Sequence, residues 1–79
     1  MKYIVEGWSR GQCVGVRSVA RPATVIREAY HLTLDLGADV VWVRRDGDAI
    51  FDFNGVRWMK HRGDDDLAAA IDKLEGASL

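Results

Sequence analysis

The chain has 79 residues and a formal net charge of −1, with 48% hydrophobic and 29% charged residues. That length holds one domain, residues 1–79, and the composition is globular rather than disordered. The near-zero charge gives no overall pull towards nucleic acid or an anionic membrane, and the lone thiol, Cys13, excludes an internal disulfide.

The start, Met1-Lys2-Tyr3-Ile4-Val5-Glu6, reaches an acid after three apolar residues, unlike a signal-peptide core. No apolar run nears the roughly 20 residues of a spanning helix, so no membrane partner is expected. With a free thiol, these features predict a cytoplasmic protein.

Tyr3 to Ser9 and Cys13 to Val19 read as two strands around Ser9-Arg10-Gly11-Gln12. With Arg10-Gly11 as the loop, Val5 faces Val16 and Gly7 faces Val14. Glu6, Trp8, Cys13 and Arg17 then share the other side. Pro22 suits the first turn of a helix, where its missing N–H costs nothing. The helix is expected to run to about Leu36 with Val25, Ala29, Leu32 and Leu36 as its apolar stripe, Leu34 off the stripe, and Gly37 ending it.

Val40 to Arg45, Asp48 to Phe53 and Val56 to Lys60 read as three strands joined by Asp46-Gly47 and Asn54-Gly55. Both dipeptides tolerate the positive φ of a two-residue hairpin turn. Such loops predict a core face of Trp42, Phe51, Trp58, Val40, Phe53 and Val56. The opposite face would carry Val41, Val43, Ile50 and Met59 beside the pairs Arg45–Asp48 and Asp52–Arg57. Asp64 to Glu75 reads as a short helix capped by Asp64, with Leu67, Ile71 and Leu74 as its apolar stripe. About twelve residues do not hold a helix alone in water, so that stripe must dock.

The expected fold is α+β, ββαβββα. It has a mostly antiparallel sheet of about five strands in order 2-1-3-4-5, which keeps the meander intact. The long helix covers the aromatic face and a short helix ends the chain. In outline the hairpin, helix and returning strands resemble HicB-type antitoxins and several small RNA-binding folds. The proline–aspartate segment expected after the first strand of the former is absent, as is the aromatic signature of RNA-recognition motifs. No family is assigned from it.

No nucleophile–base pair, phosphate loop or cofactor motif is recognisable, so no catalytic residue and no cofactor is expected. Nothing in the spacing sets His31 or His61 beside Cys13, and a strand position is a common home for a structural cysteine. Asp64 to Asp66 precede an apolar periodic segment, where capping and compensation of the helix dipole account for them without a cation. Arg62-Gly63-Asp64 matches an adhesion tripeptide by coincidence.

Two surfaces remain as candidates. Val41, Val43, Ile50 and Met59, with Leu67, Ile71 and Leu74, are surplus apolar positions expected to serve protein contacts, the chain itself included as a homodimer. Association would also add burial to a chain too short to bury much more than about 60% of its surface. Trp8, Arg17, Arg21 and Arg27 are the alternative, a nucleic-acid surface in the half that carries a local charge of +3 over residues 1–34. Residues 64–75 carry −4, an asymmetry that suits steering of a partner. The leading expectation is a small non-enzymatic interaction or regulatory protein, with nucleic-acid binding second.

Overall fold

Two tight reversals of one kind shape the first and second hairpins of the chain. Arg10 and Gly11, and again Asp46 and Gly47, take positive φ (52° and 78°; 54° and 85°), the geometry of a two-residue loop that follows strand twist. Ser9 accordingly stands opposite Gln12, and Arg45 opposite Asp48. The computed structural model describes residues 3–77. Met1 and Lys2, which enter the leader and local-charge expectations, lie outside the described residues.

The elements are β1 (Tyr3–Ser9), β2 (Gln12–Val19), α1 (Pro22–Leu34), β3 (Val40–Arg45), β4 (Asp48–Phe53), β5 (Trp58–Lys60) and α2 (Asp65–Ala77). The five strands form one antiparallel sheet in the order β2-β1-β3-β4-β5, as the sequence predicts. α1 begins at Pro22 with extended Arg21 before it and ends at Asp35. Gly37 (φ 74°) then turns the chain, and the Ala38 amide donates to the Leu32 carbonyl.

Both helices lie on one face of the sheet. Val25, Ala29 and Leu32 of α1 and Leu67 and Ile71 of α2 join Tyr3, Val5, Val41, Val43, Phe51 and Phe53 in a single buried cluster. Tyr30 meets Phe53 edge-on at 5.0 Å, and Trp58 stacks on Phe53 at 4.8 Å. Leu34 is 78% exposed, off the stripe as expected, while Leu36 falls beyond the helix and is half-exposed.

The inside–outside assignment read from the turns is corrected by two one-residue bulges. In the first hairpin Gly7 pairs with Gly15 and Trp8 with Cys13, which leaves Val14 as an extra residue of β2. Val5 therefore faces Arg17, not Val16, and Arg17 moves to the helix side. In the β3–β4 hairpin Val43 pairs with Phe51 and Arg44 with Ala49, leaving Ile50 extra. Ile50 and Phe51 are both buried as a result. A bulge forgoes about 1 kcal/mol of net hydrogen bonding, whereas burying an isoleucine contributes about 1.5–3 kcal/mol. The core wins.

The bulge carries Val41 and Val43 inward with Ile50, and Trp42 and Val40 to the opposite face. The turn between β4 and β5 differs as well. Phe53 pairs with Trp58, so Asn54 to Arg57 make a four-residue loop in which Asn54 Oδ1 accepts from the amides of Val56 and Arg57 at 2.9 and 3.0 Å. Val56 stands in that loop, 85% exposed, instead of in the core, and Asp52 faces Met59 rather than Arg57.

Candidate functional site

With both helices on one side, the other face of the sheet is uncovered by any described element. Strand register orders its side chains in rows. Val16, Glu6, Trp42, Asp52 and Met59 form one row across all five strands in spatial order. Cys13, Trp8 and Val40 form the next, and Ser18, Ile4, Arg44 and Ala49 another. Val16 and Met59, at the two ends of the first row, are 51% and 48% exposed. Trp8 and Trp42 are half-buried.

The charges on this face are satisfied within it. Glu6 Oε1 accepts from Arg44 Nε at 3.1 Å and from the Trp8 indole N–H at 3.3 Å. Asp52 Oδ2 lies 2.5 Å from His61 Nε2, and the His61 ring sits 5.2 Å from the Trp42 ring. Each of these two carboxylates therefore has a hydrogen-bonding partner on the face, set among aromatic and aliphatic side chains.

The predicted nucleic-acid group does not converge. Trp8 is on the open face, whereas Arg17 reaches Glu28 of α1 at 3.4 Å on the helix side. Arg21 and Arg27 are exposed at the start and on the surface of α1. Of the apolar group assigned to self-association, Val41, Val43, Ile50, Leu67 and Ile71 are buried within the one chain, 4% exposed or less. Leu74 is half-buried against a cleft of about 460 Å³ shared with Ala23, Ile26, Ala70 and Lys73. Met59 alone of that group stands on the open face. Trp42, assigned to the core from the turns, belongs there instead; only knowledge of the bulge could have moved it.

A second polar centre lies at the edge of the core. Asp64 is 6% exposed, and its Oδ1 accepts the Leu67 amide at 2.9 Å, capping α2. The Tyr3 hydroxyl donates to both oxygens of the same carboxylate at 3.1 and 3.2 Å, and Arg45 Nη1 donates to Oδ2 at 2.6 Å. Burial alone would raise the Asp64 pKa. The Leu67 amide, Arg45 and Tyr3 outweigh it and hold the carboxyl below its ordinary value. Burial, with the Asp64 charge second, raises Tyr3. Arg45 lines a polar cleft of about 230 Å³ with Asp48, Arg62 and Asp64. Since Asp64 spends its oxygens on the fold and Arg62 pairs with Asp48 at 2.8 Å, this centre is architectural.

Cys13 is exposed beside Trp8, and its sulfur contacts the Gly15 carbonyl; His31 and His61 are engaged with Asp35 and Asp52. Among the described residues no three His, Cys, Asp or Glu side chains gather as metal ligands. Nor is any helix long and apolar enough to cross a membrane.

No protein-family model, curated protein or solved structure matches the chain.

Proposed function

We propose that this chain is a small non-enzymatic interaction domain that binds protein through its open sheet face, in a reducing cytoplasm where Cys13 stays a thiol. A regulatory or accessory role suits a domain whose described residues offer a contact surface and no recognisable nucleophile–base pair.

The observation that carries the reading is the row Val16, Glu6, Trp42, Asp52, Met59, backed by Trp8. Tryptophan, methionine and arginine are the residues enriched in protein contacts. A two-layer domain that leaves two tryptophans and a methionine on its uncovered side has the makings of an interface core. The paired ions speak against nucleic acid there, because Arg44 already neutralises Glu6 and has little charge to offer a phosphate.

A photo-crosslinking amino acid at Met59 should trap a protein, and one at Ala69 on the exposed surface of α2 should not. Equal yields at both positions, or none at Met59, would overturn the assignment.

A further inference from the structure

We propose that the protein partner of the open sheet face meets it with an arginine side chain, laid over the Trp42 indole and bonded to Asp52. This rests on the reading of that face as a protein contact surface and names the chemistry it selects.

Strand register puts a carboxylate on each side of Trp42, since Glu6 of β1 and Asp52 of β4 both stand directly opposite it. Arg44 answers Glu6, whereas among the described residues the side-chain partner of Asp52 is His61. Two carboxylates against one guanidinium leave one negative charge whenever the imidazole is neutral. Neighbouring bases do not cancel it. Lys60 stands opposite core-facing Phe51, on the helix side of the sheet, and Arg62 is turned to Asp48.

His61 shows how a planar nitrogen group fits this place. Its Nε2 lies 2.5 Å from Asp52 Oδ2, and its ring is centred 5.2 Å from the Trp42 ring at a tilt of 37°. That is within the roughly 6 Å over which an indole face attracts a cation. Guanidinium is the planar, permanently charged group that both stacks on tryptophan and forks onto a carboxylate. Oxygens remain for it: Glu6 Oε2 and Asp52 Oδ1 accept no hydrogen bond among the described residues.

Exposure sets this carboxylate apart from the acids of α2. The Asp52 side chain is 16% exposed, whereas Asp65, Asp66, Asp72 and Glu75 stand in the open. Exposed charges are screened and pair weakly, and a partly buried one keeps more of its attraction. The imidazole also makes the site conditional. Histidine is the side chain that ordinarily gains charge between about pH 5 and 8, and a proton on His61 cancels the surplus charge. Arginine, still charged itself, should then bind more weakly as pH falls.

The probe is the capped tripeptide acetyl-Gly-Arg-Gly-amide, with its citrulline counterpart as a neutral isostere, followed by heteronuclear NMR of the labelled chain. The arginine peptide should shift the Trp42 indole N–H resonance, assigned through Trp42→Phe, and the citrulline peptide should leave it in place. The apparent Kd should rise about fivefold from pH 7.5 to pH 5.0. Over that range the α2 acids stay ionised, so binding to them would not change. Asp52→Asn should abolish the shift, with the remaining amide spectrum reporting an intact fold. His61→Gln, at an exposed position, should keep the arginine response and lose its pH dependence. Equal responses to the two peptides overturn the proposal, as does a response confined to α2, unchanged binding by Asp52→Asn, or no response. If Met59 still crosslinks to a protein while the arginine peptide is ignored, the cation is retired and the contact-surface reading stands.

Discussion

Arg45 Nη1 donates to Asp64 Oδ2 across 2.6 Å, tying the end of β3 to the first turn of α2. Asp64 also caps that helix through the Leu67 amide and receives the Tyr3 hydroxyl, so one carboxylate joins the first strand, the third strand and the last helix. Replacing it by alanine removes a cap worth about 1 kcal/mol and strands the tyrosine hydroxyl. Asp64→Ala should therefore cost about 2–3 kcal/mol in urea unfolding. Asparagine retains a capping oxygen, and Asp64→Asn should cost clearly less. Equal losses would show that the cap contributes nothing.

The same carboxylate sets a pH dependence. Its folded pKa lies below the ordinary 3.8, so the unfolded chain binds its proton first as the solution is acidified. The associated stability is complete above that ordinary value and is lost as pH falls through the folded pKa. Tyr3 behaves in the opposite sense. Its folded pKa is raised above 10.0, so its contribution is complete below that value and is lost as pH rises through the folded pKa. Unfolding measured from pH 2 to 11 should show both limbs, and Asp64→Asn should flatten the acid one.

Ile50 is the residue that the β4 bulge turns inward, at 4% exposure, while Met59 on the open face is 48% exposed. Ile50→Ala should cost about 2–4 kcal/mol in chemical denaturation at low chain concentration. Met59→Ala should stay within about 0.5 kcal/mol under the same conditions. A regular hairpin would leave Ile50 on the open face with Met59, and the two substitutions would then differ little.

Much of the fold was legible because its signals are local. Pro22, the stripe Val25–Ala29–Leu32 and the Asp64 cap follow from capping and periodicity, and the strand order from keeping the meander intact in an antiparallel sheet. The inside–outside map was not, although the turns at Arg10-Gly11 and Asp46-Gly47 took the expected form. Each of those hairpins gains one residue, Val14 or Ile50, a few positions past its turn, and alternation inverts from there. No dipeptide announces a bulge. It arises where core volume repays a forgone ladder bond, a tertiary quantity. Trp42 accordingly reads as core and stands on the open face, so the candidate contact surface was visible only through Trp8 and Met59.

The loop after β4 offers a sharper local test. Asn54 Oδ1 accepts two amide hydrogen bonds, from Val56 and Arg57, and converts an expected two-residue turn into four. Asn54→Ala removes both acceptors at an exposed site and should cost about 1 kcal/mol in thermal or urea unfolding. Val56, 85% exposed, should accept lysine without measurable loss.

Gly7 and Gly15 pair across β1 and β2 beneath Leu32, which is fully buried. A Cβ on Gly7 would lie 3.1 Å from Leu32 Cβ and 3.2 Å from Ala38 Cβ, atoms fixed to the backbone. One on Gly15 would lie 2.7 Å from Leu32 Cδ2 and 3.2 Å from Leu36 Cδ1, both ends of side chains. Either alanine overpacks the seam between sheet and α1, at a cost of about 1–3 kcal/mol. The two should separate in a double-mutant cycle with Leu32→Ala. Truncation deletes Cδ2 and makes room for a methyl group at position 15, so Gly15→Ala should become nearly neutral in that background. It leaves Leu32 Cβ and Ala38 in place, so Gly7→Ala should keep most of its penalty. If both penalties vanished together, the clash at Gly7 would come from the leucine tip, and the close backbone approach of α1 to β1 would be wrong.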